Sequence, residues 1–308
     1  MENIKSKGVY FVANDLVIDL TIAFLNSFRR FNPTVSLCLI PFKDDITEIS
    51  KLKTRYNFSI YSDAEFLDYC DDISLKFHSK VIGHYRKLAI WQGPFEEFVY
   101  IDIDTLVLKN IDFVFPLLSD FDFITSFSNL PSIRQWVWKD SIYQANLLSN
   151  EQINYGANTG FIVSKKNNIS RDDIDMSLVG ALELSEYMEL SCMEQPFINY
   201  LIVTSNKTHT SLYKLLDSNI YPENYVEFWA GSKKKDFINN KQTIQDGILR
   251  DVFFIHWAGV WQKNSNDFKI FKIMKFLKIR KTIWSTSIFM PFRKLWKYYR
   301  YLDFNKIT

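Results

Sequence analysis

The 308-residue chain is long enough for one large α/β domain with an appendage, and two full domains are not required. Its 47% hydrophobic and 23% charged residues, with only 9 Gly and 8 Pro, exclude a disordered or fibrous chain. The net charge of +2 excludes a uniformly basic protein, yet it hides an asymmetry: residues 269–300 hold ten basic side chains and no acidic one, leaving 27 basic against 35 acidic elsewhere. Cys38, Cys70 and Cys192 are too far apart in sequence for a paired framework or a zinc-ligand spacing. With no secretory signal and no run near the roughly 18 apolar residues of a membrane span, the expected setting is reducing and cytoplasmic.

In chain order, residues 8–13 (GVYFVA) read as a buried strand, and 16–31 carry Leu20, Ala23, Phe24 and Phe28 at helical spacing. A second strand is expected over 35–40, a polar helix over 43–56 and a short strand over 58–61. Ser62, with Glu65 three residues on, reads as the N-cap of a helix. Strands alternating with helices imply a mostly parallel sheet covered on both faces. Residues 84–91 suggest a helix, Gln92-Gly93-Pro94 a turn, and 97–104 an apolar strand that ends on two aspartates. Further strands are expected over 121–127, 156–165 and 252–255. Helices are expected over 173–187 and 194–203, the second with Pro196 in its first turn, where a missing N–H costs nothing.

Three Asp-x-Asp triplets occur, at 102–104, 120–122 and 173–175. Only Asp102 and Asp104 end an apolar strand, and in open α/β sheets ligands bind outside the carboxyl ends of strands. Two carboxylates there can reach one divalent cation, and hard oxygen ligands suit Mn²⁺ or Mg²⁺. Asp173 and Asp175 fall near a helix start, which the helix dipole favours in any case. Two solvated aspartates opening a loop are the alternative reading of the first triplet.

Other segments follow in a fixed order: Tyr85-Arg86-Lys87-Leu88, then FVYIDIDTL at 98–106, Asn158-Thr159-Gly160-Phe161-Ile162, Glu194-Gln195-Pro196-Phe197-Ile198-Asn199, and Ile255-His256-Trp257-Ala258-Gly259. This series resembles the GT-A glycosyltransferases, most closely the retaining family 8 group of glycogenin and bacterial lipooligosaccharide galactosyltransferases, over roughly residues 8–263. The resemblance implies an α/β fold of GT-A (Rossmann-like) type, a mostly parallel sheet flanked by helices, in a catalytic domain over 1–265. It implies hexose transfer from a nucleotide-sugar donor, a UDP-sugar first, to a glycan or lipid-linked acceptor, with Mn²⁺ (or Mg²⁺) as cofactor.

By position, the resemblance makes Asp102 and Asp104 the metal-binding Asp-x-Asp, with Ile103 between them, and His256 the third ligand; packing beside Trp257 is that histidine's other reading. Arg86 corresponds to a donor-contacting arginine, or is a surface residue on an amphipathic helix. Ala13, Asn14 and Asp15 correspond to the base and ribose region, while Asn14 or Asp15 fits a helix cap equally well. Asn158 and Gly160 correspond to a segment that touches the donor sugar, or form a turn. Glu194 and Gln195 correspond to an Asp-Gln pair facing the reacting carbon, as nucleophile or as polar stabiliser. Gly259 belongs to the donor site, and Lys263 is a diphosphate contact that stands one residue beyond the family's lysine position, which here is Gln262.

Two other functions compete. Residues 98–106 also look like the first motif of haloacid-dehalogenase-type phosphatases, although Thr105 stands where that family usually has glycine and a hundred residues of α/β pattern come first. A GT-A protein that binds without catalysing is the other. The basic, aromatic segment 266–308 reads as a helical C-terminal tail, either solvated or lying on an anionic membrane at the inner face of the cell membrane. Nucleic-acid binding is not expected, because no recognised module accompanies the charge.

Overall fold

The computed structural model describes residues 5–215, 224–230, 237–238, 242–245, 248–258 and 292–303. The strands form two sheets. The first is built from β1 (Lys5–Ala13), β2 (Ser36–Pro41), β3 (Phe58–Ile60), β4 (Phe95–Ile101), and, after the turn into β5 (Thr105–Val107), from β6 (Phe123–Thr125), β7 (Phe161–Lys165) and β8 (His209–Ser211). Its order is β3-β2-β1-β4-β7-β6-β8. The first four strands are parallel, as the alternating pattern predicts, whereas β7 lies antiparallel between β4 and β6. The sheet is therefore mixed rather than parallel throughout. The second sheet joins β5 to β9 (Asn224–Trp229), β10 (Phe237–Ile238), β11 (Gln242–Gln245) and β12 (Ile248–His256).

The strands of the first half are apolar on both faces because both faces are covered. Along β1, Tyr10 and Val12 enter one core and Val9, Phe11 and Ala13 the other. The second core is closed by α1 (Ile18–Phe31) through Phe24, Leu25 and Phe28. The first core is covered by α2 (Ala64–His78), by a 3₁₀ helix at Gly83–Trp91, and by α3 (Arg171–Glu183) and α4 (Gln195–Thr204).

Several expected elements change form. Residues 43–56 make two single turns, Thr47–Ser50 and Lys53–Tyr56, instead of one helix. The Asp15 carboxylate accepts from the backbone N–H of Glu48 and Ile49, both at 2.9 Å, and so fixes the start of the first turn; Asn57 ends the second in the left-handed region. Asp63, not Ser62, caps α2, accepting from Phe66 N–H at 3.0 Å.

Residues 259–291 and 304–308 lie outside the described residues, and with them the donor-site candidates Gly259 and Lys263 and most of the expected tail 266–308. The described piece is α5 (Arg293–Arg300), which packs on α1. Trp296 and Tyr299 are buried with Leu20, Ala23, Phe228 and Trp257, and Asn26 Nδ2 donates to the Tyr299 carbonyl at 2.7 Å. Arg300 Nε donates to Asp19 at 2.6 Å. No helix among the described residues is long and apolar enough to cross a membrane.

Candidate active site

The apolar run 98–108 breaks at Asp102. There β4 ends and the chain turns through Asp102-Ile103-Asp104 into β5, crossing from the first sheet to the second. The turn is tied to both sheets: Asp102 N–H donates to the Gly160 carbonyl at 2.8 Å, and Trp257 N–H donates to the Asp104 carbonyl at 3.0 Å. Ile103 packs inward against two core clusters, and the flanking aspartates are partly exposed. Strand β12 runs antiparallel to β5 with His256 opposite Thr105, and this brings the imidazole to the aspartates. His256 Nε2 lies 3.1 Å from Asp104 Oδ1 and 3.8 Å from Asp102 Oδ2.

These three residues fit a divalent cation on three observations. One ligand atom from each lies within 4.8 Å of the others. His256 Nε2 is buried and has no hydrogen-bond partner of acceptable geometry, an arrangement that otherwise costs about 1–3 kcal/mol. The wall opposite is Gly160, where a Cβ would sit 2.5 Å from His256 Cε1 and 2.8 Å from Asp102 Oδ2, so a side chain there would fill the space between the ligands.

Around this cluster lies a second shell of polar groups. Lys87, 1% exposed, sits 3.5 Å from Asp102 Oδ1, donates to the Thr159 carbonyl at 3.2 Å and pairs with Glu194. Burial opposes the charge on Asp102, but Lys87, His256 and the Tyr100 hydroxyl at 2.5 Å outweigh it and hold the carboxyl below its ordinary range. Burial likewise opposes the charge on Lys87, and Asp102 and Glu194 raise its pKa in spite of it. His256 is raised well above the usual imidazole value, because Asp104 and Glu227 overcome the effect of burial.

The expected donor-side residues divide. Asn158 is in place: Gly160 N–H donates to its Oδ1 at 3.0 Å, and its Nδ2 donates to Glu227. Gln195, at the start of α4, is half-buried; its Oε1 accepts from Thr159 N–H at 3.2 Å and its Nε2 donates to the Trp136 carbonyl at 3.0 Å. Glu194 is buried against Lys87. Just before it, Met193 has φ 56°, a left-handed conformation costing a non-glycine residue on the order of 1–3 kcal/mol, and its carbonyl lies 2.9 Å from His78 Nε2.

Arg86 is not part of the cluster. Its guanidinium is buried against Asp71 at 2.8 Å, with Asp44 and the Pro41 carbonyl completing its contacts, and the cation beside Asp102 is the next residue, Lys87. Asn14 and Asp15 cap short helices, Asn14 through Leu16 N–H at 3.2 Å, and Ala13 is buried in the core. Glu227 is the residue that sequence reasoning passed over: its Oε1 lies 2.7 Å from His256 Nδ1. The other two Asp-x-Asp triplets are structural. Asp122 caps Thr208, Asp173 forms a capping box with Ser170, and Asp175 accepts from the Tyr69 hydroxyl.

No protein-family model matches the sequence, and no curated protein matches it. Solved structures do. The bifunctional glycosyltransferase WbbM superposes with a TM-score of 0.59 at 12% identity, over 100% of this chain and 52% of that one. The galactosyltransferase LgtC, in complex with donor and acceptor sugar analogues, gives 0.52 at 14% identity, over 94% of this chain and 99% of LgtC. The glycosyltransferase GlyE of Streptococcus pneumoniae TIGR4 gives 0.50 at 14% identity, over 99% of this chain and 62% of GlyE. The chain thus spans little more than half the length of WbbM and less than two thirds of GlyE, but nearly all of LgtC. Three strands of the sheet come before β4, the strand that ends at the Asp102 turn, and a phosphatase domain opening at that motif would lack them; the fold is that of the GT-A glycosyltransferases.

Proposed function

We propose that the chain is a metal-dependent glycosyltransferase moving a hexose from a nucleotide-diphosphate sugar, a UDP-sugar first, to a glycan or lipid-linked acceptor with retention. The observation that carries this reading is the convergence of Asp102, Asp104 and His256 at the junction of two sheets in a GT-A fold. Mn²⁺ or Mg²⁺ held by these three would neutralise charge on the departing diphosphate. Lys87 keeps Asp102 ionised and thus ready to bind a cation. Asn158, fixed between Gly160 and Glu227, is placed to contact the donor sugar.

Retention by direct front-face transfer is supported by the two candidate nucleophiles. Glu194 is buried in an ion pair with Lys87, and Gln195 carries an amide, a poor nucleophile. In front-face transfer the anomeric C–O bond to phosphate breaks, the acceptor oxygen bonds on the same face, and its proton passes to the departing phosphate oxygen. A place on the cytoplasmic face of a membrane is part of the same proposal. It is supported by the basic segment 269–300 and by α5, which buries Trp296 and Tyr299 while leaving Lys294, Tyr298 and Tyr301 exposed.

Thermal melts with a panel of nucleotide sugars and Mn²⁺ test the reading. Donor and Mn²⁺ at about 100 times their dissociation constants are expected to stabilise the wild type by about 2.7 kcal/mol and to leave Asp104→Ala unchanged. Equal stabilisation of both proteins would overturn the metal role.

A further inference from the structure

Glu227 is 2% exposed, and its partners belong to the site. A buried carboxylate costs several kcal/mol unless answered by donors. Here the answering groups are His256 Nδ1 at 2.7 Å from Oε1, and Asn158 Nδ2 at 2.8 Å from Oε1 and 3.0 Å from Oε2. The arrangement follows from register. Strands β9 and β12 are parallel, with Glu227 opposite Phe254 and Trp229 opposite His256, so residues 227, 229, 254 and 256 share one face. The Glu227 side chain reaches forward along that face to the imidazole.

An ionised carboxylate only accepts hydrogen bonds, so the imidazole nitrogen beside it must carry hydrogen. A cation that takes the place of the second proton leaves the ring neutral, with the Nε2 lone pair turned to the ion. That nitrogen is the buried, unpartnered one, directed at Asp104 and Asp102. We propose that Glu227 is a positioning residue of the metal site: it sets the tautomer and ring angle of His256 and ties that ligand to the Asn158 amide beside Gly160. This rests on the reading of Asp102, Asp104 and His256 as a cation site. It adds that the second sheet supplies, besides one ligand, the group that orients it, and that the histidine and the sugar-facing amide answer to one carboxylate.

Titration of the full chain with Mn²⁺ alone, followed by electron paramagnetic resonance of the free ion, tests it without donor or acceptor. Glu227→Ala is expected to bind Mn²⁺ about 10–100-fold more weakly than the wild type. Glu227→Gln is expected to lose less, since its amide oxygen can still accept from Nδ1–H. In the wild type loaded with diamagnetic Mg²⁺, ¹⁵N resonances are expected to show hydrogen on Nδ1 and none on Nε2 of His256. This last measurement decides the matter even if Glu227→Ala fails to fold. Mn²⁺ affinity unchanged in both variants while Asp104→Ala loses it would overturn the positioning role and leave the cation site standing. A hydrogen found on Nε2 of the loaded protein would overturn the positioning role and, with it, His256 as a ligand. Asp104→Ala binding Mn²⁺ as tightly as the wild type would overturn the cation site, and this proposal with it.

Discussion

Lys87 and Gly160 bound the cluster from two sides, one by charge and one by the absence of a side chain. Lys87 stands between two carboxylates, Asp102 and Glu194, and holds the Asp102 carboxyl below its ordinary range in a place where burial favours the neutral form. Gly160 admits Asp102, His256 and Asn158 to a space that a single methyl group would occupy. Gly160→Ala is therefore expected to fold, because the strand beyond it is unaltered, and to bind Mn²⁺ at least about tenfold more weakly, as measured by the same titration. Asp102 and Asp104 could be picked out from the sequence because they end an apolar strand, and His256, Asn158 and Gly160 because their short segments resemble those of a known family; the structure brings all five together. The cation beside Asp102, Lys87, was not singled out, since in a tight 3₁₀ turn adjacent side chains point to different sides and sequence spacing does not say which faces the aspartates. Glu227 has no local mark at all. Its role exists only through the pairing of β9 with β12.

Among the elements, those with a long apolar run were readable: β1, β2, β4, β7, α1 and α4 lie where hydrophobic period and turn residues put them. Strand β5 was hidden because it continues the apolar run of β4, and only the turn at Asp102-Ile103-Asp104 divides one strand into two belonging to different sheets. Strand β8 has three residues, too few for a period to show. Caps were read less well where two candidates stand side by side, as with Ser62 and Asp63, since a carboxylate competes better for an N–H than a hydroxyl does. The start of α3 gives a pH test. Ser170 donates through its hydroxyl and N–H to the Asp173 carboxylate, which lowers the Asp173 pKa. A depressed folded-state pKa contributes stability above the unfolded value of about 3.9 and loses it as pH falls through the folded value. Asp173→Asn is expected to cost about 0.3–1 kcal/mol at pH 7 in urea unfolding, with the deficit shrinking as the pH is lowered from about 5 to 3.

At the scale of the whole molecule, α5 packs on α1, so residues 293–300 are part of the folded body. Trp296 fills the third core with Leu20, Ala23 and Trp257, and Trp296→Ala is expected to destabilise the protein by about 3–5 kcal/mol in denaturant unfolding. Loss of α5 alone, with unchanged midpoint for the rest, would show instead that this helix is a separate unit. Trp257, in the same core, directly follows His256, so the packing of α5 and the geometry of the cluster share a neighbour. The turn from β4 into β5 adds a mechanical consequence. Its backbone is stitched to Gly160 on one side and Trp257 on the other, while its two carboxylates and the imidazole of β12 face a common point. An ion seated there would act as a rivet through both layers, and amide hydrogen exchange at Asp102 and Trp257 should slow together when it is driven home.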